Sequence, residues 1–371
     1  MQNHDNGSAE FEFGIYSLGE LIPGPSGAIR SASKRIEEIM TAAKLADEAG
    51  LDVFGIGEHH RLDFVTSSYA MILSAIAQTT KRIRLTSTLS VISTADPVRV
   101  FEDFATLDLI SGGRAEIIVG RGAFLESFQL FGADLRDYDD LFANKLDLFL
   151  KLNVQERVTW TGKFRPALID AAIAPRPMQK SLPVWVGVGG TPESAARAGR
   201  LGLNMALGLL GGDPGRVKPL VDLYRASAQA AGHDPSKLRV SVTGHSYISK
   251  TSQQALDEFY PHYVNYISYF MKERGQHFWV SRSDLAAMTA PDEILAVGSP
   301  QQLIEKILYQ HELFGHSRFM GQFDMGGQPL SKVATAIELL ATDVAPVVRR
   351  EIRKKWSRTQ GTQGGVSSFV R

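Results

Sequence analysis

Apolar runs of strand length alternate with helical apolar periods eight times along this chain. The runs predict strands over 11–18, 53–57, 83–91, 115–120, 184–188, 204–210, 238–248 and 318–323. A helical period follows each. Over 33–49, Ile36, Ile39, Met40, Ala43 and Ala46 share one face, and Gly50 is the stop. Asp96-Pro97 supplies an N-cap and first helical residue, and Ser111-Gly112-Gly113 closes that helix. Thr191-Pro192 and Asp213-Pro214 open later helices, as do the capping-box patterns Thr251-x-x-Gln254 and Ser299-x-x-Gln302. The last helix is read to about residue 345.

Serial β-then-α units imply parallel strands and right-handed crossovers. A doubly wound open sheet accommodates them, but a closed (β/α)8 (TIM) barrel is the simpler answer. Two segments fall outside the repeat and read as insertions, one after the fourth strand and one between the seventh and eighth. Residues 153–182 carry a small hairpin around 158–164. Residues 272–298 are polar and aromatic, with His277, Phe278 and Trp279, and suit a lid. The domain reading is a tail over 1–10, one barrel over 11–350 and a second tail over 351–371.

Forty basic and 40 acidic residues cancel, without a basic stripe, so nucleic acid and anionic membranes are not expected partners. There is no cysteine, hence no disulfide, thiolate metal site or cysteine nucleophile. The polar first ten residues lack a signal-peptide core, and no apolar run reaches roughly 18 residues. A cytoplasmic location is expected.

In a barrel, the residues just after each strand surround one mouth. Here these are Glu58, His59 and His60, then 87–89, Arg121-Gly122, Gly189-Gly190-Thr191, His245 and 324–327. Histidine is the side chain whose ordinary pKa lies nearest neutrality. Gly189-Gly190-Thr191-Pro192 joins a strand directly to a helix start. It is either a tight turn with an ordinary N-cap or an anion site, with Arg121 to complete a phosphate clamp. Walker and dinucleotide fingerprints are missing. Consecutive ligands on an extended chain point apart, so Glu58-His59-His60 is not read as a metal site.

The stretch from Val53 to Gly132 resembles the bacterial luciferase-like, flavin-dependent monooxygenase family. The matching pieces are Glu58-His59-His60, Tyr69, the segment 85–91, Asp96-Pro97-Val98-Arg99 with Glu102-Asp103, 107–114, Val119-Gly120-Arg121-Gly122 and Phe131-Gly132. The turns at 187–193 and 323–327 also look like the family. The resemblance implies a (β/α)8 barrel, a dissociable flavin mononucleotide (FMN) and a homodimer. It implies that reduced FMN, supplied by a separate flavin reductase, reacts with O2 and oxygenates a small organic substrate through a flavin hydroperoxide. A deazaflavin-dependent hydride-transfer enzyme and a non-catalytic flavin-binding barrel are the alternatives.

Carried over residue by residue, His59 matches the active-site histidine beside the flavin. Arg121 with Gly122, and the turn Gly189-Gly190-Thr191, match the phosphate contacts. Ser87-Thr88-Leu89 matches the place of a non-proline cis peptide beneath the flavin ring, on either of its two bonds. Gly120 stands where the luciferase has a cysteine. Glu58 either sets the His59 tautomer and raises its basicity, or holds its strand through backbone N–H groups. His60 shares the site or faces away. Phe13, Tyr16, Phe124, Phe128, Trp279 and Phe323 are candidates for an apolar pocket or for core. The helix over 67–80, with Tyr69, Met71, Ile72, Leu73, Ile76 and Ala77, is expected to expose apolar surface for the homodimer.

Overall fold

The strands are β1 (Glu12–Ser17), β2 (Val53–Ile56), β3 (Arg84–Ser87), β4 (Ser90–Val91), β5 (Ile117–Gly120), β6 (Arg157–Trp160), β7 (Leu168–Ala172), β8 (Val184–Val188), β9 (Asn204–Leu209), β10 (Val240–Ile248), β11 (Ala296–Gly298) and β12 (Arg318–Gln322). The helices are α1 (Ala32–Ala49), α2 (Tyr69–Thr79), α3 (Pro97–Ser111), α4 (Glu126–Leu130), α5 (Tyr138–Val154), α6 (Pro192–Arg200), α7 (Lys218–Ala230), α8 (Ser252–Glu273), α9 (Arg282–Ala287), α10 (Pro300–Phe314), α11 (Leu330–Leu339) and α12 (Ala345–Gln363). They come from a computed structural model that describes residues 10–122, 124–211 and 213–363.

Parallel pairing runs β3-β2-β1-β12-β10-β9-β8-β5-β4. The Leu85 N–H donates to the Arg114 carbonyl at 2.9 Å, and the Glu116 N–H donates to the Leu85 carbonyl at 3.0 Å. This seam joins β3 to the chain entering β5 and closes the sheet. The result is the (β/α)8 barrel of the sequence reading. The strand expected over 83–91 is split at Thr88-Leu89 into β3 and β4, which continue one stave.

Caps set several helix starts. Asp96 accepts from the Val98 N–H, and Ser299 and Gln302 form a reciprocal box. Thr251 completes only half of one: it accepts from the Gln254 N–H, while the Gln254 side chain turns to Glu258.

The barrel's N-terminal end is filled by charge rather than by apolar side chains. Arg318 is fully buried and lies over the Trp185 ring at 4.2 Å. Its Nε donates to Glu12 at 2.7 Å and its Nη2 to Glu116 at 3.0 Å. Arg84 and Arg239 also pair with Glu12. Burial pushes the Glu12 carboxyl up, but Arg318, Arg84 and Arg239 outweigh it and hold it at about 2.

Four expectations need correction. The hairpin is β6 with β7, so its second strand lies beyond 158–164. The segment 272–298 is no open loop: α8 runs to Glu273, α9 follows, and β11 pairs with β10. Of the six α2 residues expected to expose apolar surface, five pack into the core and only Met71 is exposed. The C-terminal chain is helical past residue 351, to Gln363. The remainder of that tail, 364–371, and residues 1–9 of the first lie outside the described residues. Among the described residues, no helix is long and apolar enough to cross a membrane.

Candidate active site

A cavity of about 490 Å³ opens at the C-terminal ends of the strands, over residues that follow or end β2, β3, β5, β8, β9 and β10. Its floor is Thr88-Leu89, joined by a non-proline cis peptide bond. Neighbouring strands make room with glycine. A Cβ at Gly55 would sit 2.4 Å from Thr88 Cγ2, and one at Gly120 or Gly187 would sit 2.4 or 2.7 Å from Leu89 Cδ2. Gly120 is thus a space for Leu89. Ser87 does not line the cavity; its hydroxyl is buried and donates to the Ile118 carbonyl at 2.8 Å.

Glu58, His59 and His60 all line the cavity, and of the two roles open to Glu58 the contact to backbone N–H is the one seen. The Glu58 carboxylate accepts from the Val91 N–H at 2.7 Å and bonds His60 Nε2 at 2.7 Å. It therefore orients His60 and pins β4; it does not set the His59 tautomer. His59 Nδ1 donates to the backbone carbonyl of Glu58. In the neutral ring that leaves Nε2 as the acceptor, and this atom is buried without a partner. The ring packs edge-on against Phe64, with centroids 4.1 Å apart, and against Phe124 at 5.2 Å. Burial, then the neighbouring His60, pushes its pKa down to about 3 against a small lift from Asp63. His59 is not a group that titrates near neutrality.

Arg121 and the strand-to-helix turn after β8 meet at one corner. Arg121 Nη2 donates to Thr191 Oγ1 at 3.0 Å, its Nη1 to Asp139 at 2.6 Å, and its guanidinium lies 5.0 Å over Tyr138. Thr191 is the N-cap of α6, yet its side chain caps no helical N–H. Around Gly189 and Gly190 nothing lies within 4 Å of a built Cβ, and Gly190 has φ +130. Thr191 and Gly189 line the cavity with Arg121 and Gly122; Gly190 does not. A cation, a hydroxyl and the open N-terminus of a helix converge here on a space of the right chemistry for an anion.

The family model for luciferase-like monooxygenases matches residues 11–317. The chain belongs to that family. It is 25% identical over 345 residues to the alkanal monooxygenase alpha chain of Photorhabdus laumondii, covering 87% of this chain and 95% of that relative. It is 31% identical over 173 residues to an F420-dependent glucose-6-phosphate dehydrogenase of Amycolatopsis mediterranei, covering 44% of this chain and 51% of the other. In fold it is similar to the oxygenating constituent of 3,6-diketocamphane monooxygenase from Pseudomonas putida, a type II Baeyer-Villiger enzyme solved with FMN. There the TM-score is 0.74 at 19% identity, covering 91% of this chain and 99% of that one.

In this luciferase-like barrel the apolar wall is only partly the one expected. Tyr16 and Phe124 line the cavity. Phe13, Phe128 and Phe323 are buried core, and Trp279 is exposed. The sequence reading missed Tyr266 and Phe270, which α8 lays across the mouth. His245, at 6% exposure, lines the cavity beneath them, and its Nδ1 is buried without a partner. Burial pushes His245 down to about 4, against a lift from the Gln322 side chain.

The ordinary value for His245 is 6.5. Below it the unfolded chain takes up a proton that the folded protein refuses until about pH 4. This contribution is whole above pH 6.5 and is lost as pH falls toward 4. The slope is about 1.4 kcal/mol per pH unit. Between pH 7.5 and 5 the urea-derived stability of the parent should therefore fall by about 2 kcal/mol more than that of His245→Gln. Equal falls would show that His245 is not held neutral by the fold.

Proposed function

We propose that the cavity binds FMN and that the protein is a monooxygenase using O2 and FMN reduced by a separate reductase. One observation supports this most: Arg121 and Thr191 Oγ1 meet 3.0 Å apart at an open helix N-terminus, on the cavity whose floor is Thr88-Leu89. The residues present fit the group. Arg121, Thr191 and the Gly189-Gly190 turn would hold its phosphate. Thr88 and Leu89 would support the ring, and the unpartnered Thr88 Oγ1 and His59 Nε2 would face polar ring or substrate atoms. When bound, the flavin supplies the electrons that activate O2.

The chain's own residues supply position, shelter and protons. The aromatic wall of Phe64, Phe124 and Phe270 keeps water from His59. His59 Nε2, unpartnered in the structure, is free to accept a hydrogen bond and gives up no proton at neutral pH. His60, held by Glu58 and lining the cavity, is the imidazole placed for proton transfer.

A second reading has a specific support, the similarity to the F420-dependent dehydrogenase. It makes the reaction a hydride transfer with a deazaflavin. Isotopically labelled O2 separates the two. With NADH, a general flavin reductase, FMN and a panel of apolar carbonyl and aromatic compounds, the monooxygenase reading predicts product carrying one labelled oxygen atom. Unlabelled product formed with deazaflavin and without O2 would replace it by the second reading.

A further inference from the structure

Arg61 lies two residues beyond His59 and belongs to none of the functions above. Its Nη1 donates to Glu126 of α4 at 2.5 Å, and its Nη2 donates to Asp63 at 2.7 Å and to Glu273, the last residue of α8, at 2.5 Å. The same guanidinium lies 5.1 Å from the Phe124 ring centroid and 5.7 Å from that of Phe270. Beneath it, Phe64, Phe124 and Phe270 form a closed triangle with centroids 5.7 to 5.8 Å apart, and His59 packs on two of them. The ionic contacts and the ring contacts therefore join the same three segments: the loop after β2, the chain after β5, and the end of α8.

We infer that Arg61 is a positioning residue, an electrostatic latch that holds these three segments closed over the cavity and over His59. Several features make it a latch rather than a buried strut. The Arg61 side chain is 14% exposed, and those of Glu126 and Glu273 are each 42% exposed, so solvent ions reach the carboxylates. Pairs of that kind weaken with salt. The segments are anchored at their other ends by barrel strands, so they part by loosening at the mouth without unfolding the barrel. Glu126, Phe124, Phe270 and Arg274 line the cavity, so opening there exposes the site itself. Access of a ligand to the cavity should then depend on ionic strength through one guanidinium.

The first readout rests on the reading of the cavity as a flavin site; the second does not. Full-length protein loaded with FMN is diluted and flavin release is followed by fluorescence. Release from the parent should quicken severalfold between about 0.1 and about 1 M NaCl, as the screening length falls from ~10 to ~3 Å. Arg61→Ala should release FMN about tenfold faster, the equivalent of roughly one charge-assisted hydrogen bond, with a weaker salt dependence than the parent, the remainder being that of the Arg121 contact to the phosphate. Glu126→Gln with Glu273→Gln changes only half-exposed side chains and should move both quantities in the same direction. Arg61→Lys keeps the charge without the three-way fork and should fall between.

The second readout is amide hydrogen exchange in flavin-free protein. Exchange over 126–130 and 266–274 should quicken in Arg61→Ala and in the double glutamine variant, with the barrel strands unchanged. Unaltered release and unaltered exchange in both variants would overturn the latch. If the parent does not bind FMN, the reading of the cavity fails and amide exchange decides the latch alone. Faster exchange at the mouth would then uphold it, and unchanged exchange would remove it.

Discussion

His60→Ala is expected to lower oxygen-dependent turnover by about 100- to 10,000-fold, the range for loss of a positioned proton-transfer group, while FMN affinity holds. The ring lines the cavity and is the one that Glu58 orients, at 2.7 Å. Glu58→Gln should cost less. The amide retains an oxygen for the Val91 N–H but holds His60 without a charge. His59→Ala is the contrast. Because burial keeps His59 near pH 3, removing it should leave in place any pH dependence of rate above pH 5. Rates of product formation under saturating reduced FMN check all three. Full turnover in His60→Ala, or a neutral-pH titration that disappears in His59→Ala, would assign the proton-transfer role to His59 instead.

Arg318→Ala should destabilise the fold by about 3–5 kcal/mol, read as a fall in the urea midpoint. Deleting the guanidinium leaves Glu116, in the barrel interior, with only a 3.8 Å contact to Arg84. It also strips the Trp185 face of its cation. The large term is the uncompensated buried carboxylate, not the lost pair itself. Replacing the pair together, Arg318→Met with Glu116→Leu, should therefore recover much of the loss. A double variant as unstable as Arg318→Ala would show that the packing around Trp185, and not the charge, dominates.

The staves were legible because a buried parallel strand is a short apolar run, and eight such runs alternate with helical periods. The break at Thr88-Leu89 was not visible in that pattern, since 83–91 reads as one continuous run; only the family resemblance pointed to it. Arg121 and Thr191 stood at the ends of two strands that the barrel model already brings to one mouth, and they meet there. Of the two roles open to Glu58, the structure shows a bond to a backbone N–H, that of Val91, and not the one to His59. Adjacent side chains of an extended chain alternate, so the carboxylate reaches the ring two residues on, His60, rather than its neighbour His59. Tyr266 and Phe270 lie on one face of α8, and that period is the same for core as for a cavity wall. The charged clusters were out of reach for a different reason. Arg318 and Glu116 are 202 positions apart, and Arg61 and Glu273 are 212 apart. Each such residue alone looks like an ordinary solvated charge.

In the proposed function, Arg121 and the turn at 189–191 hold the phosphate of a flavin on this cavity. Calorimetric titration of the parent and Arg121→Ala with FMN and with riboflavin tests it most directly. A charge-assisted contact contributes about 1.5–3 kcal/mol. FMN should therefore bind the parent well above riboflavin, Arg121→Ala should weaken FMN by about ten- to a hundredfold, and riboflavin should scarcely distinguish the two proteins. Equal affinity of the parent for both flavins, or an FMN affinity indifferent to Arg121, would contradict the account.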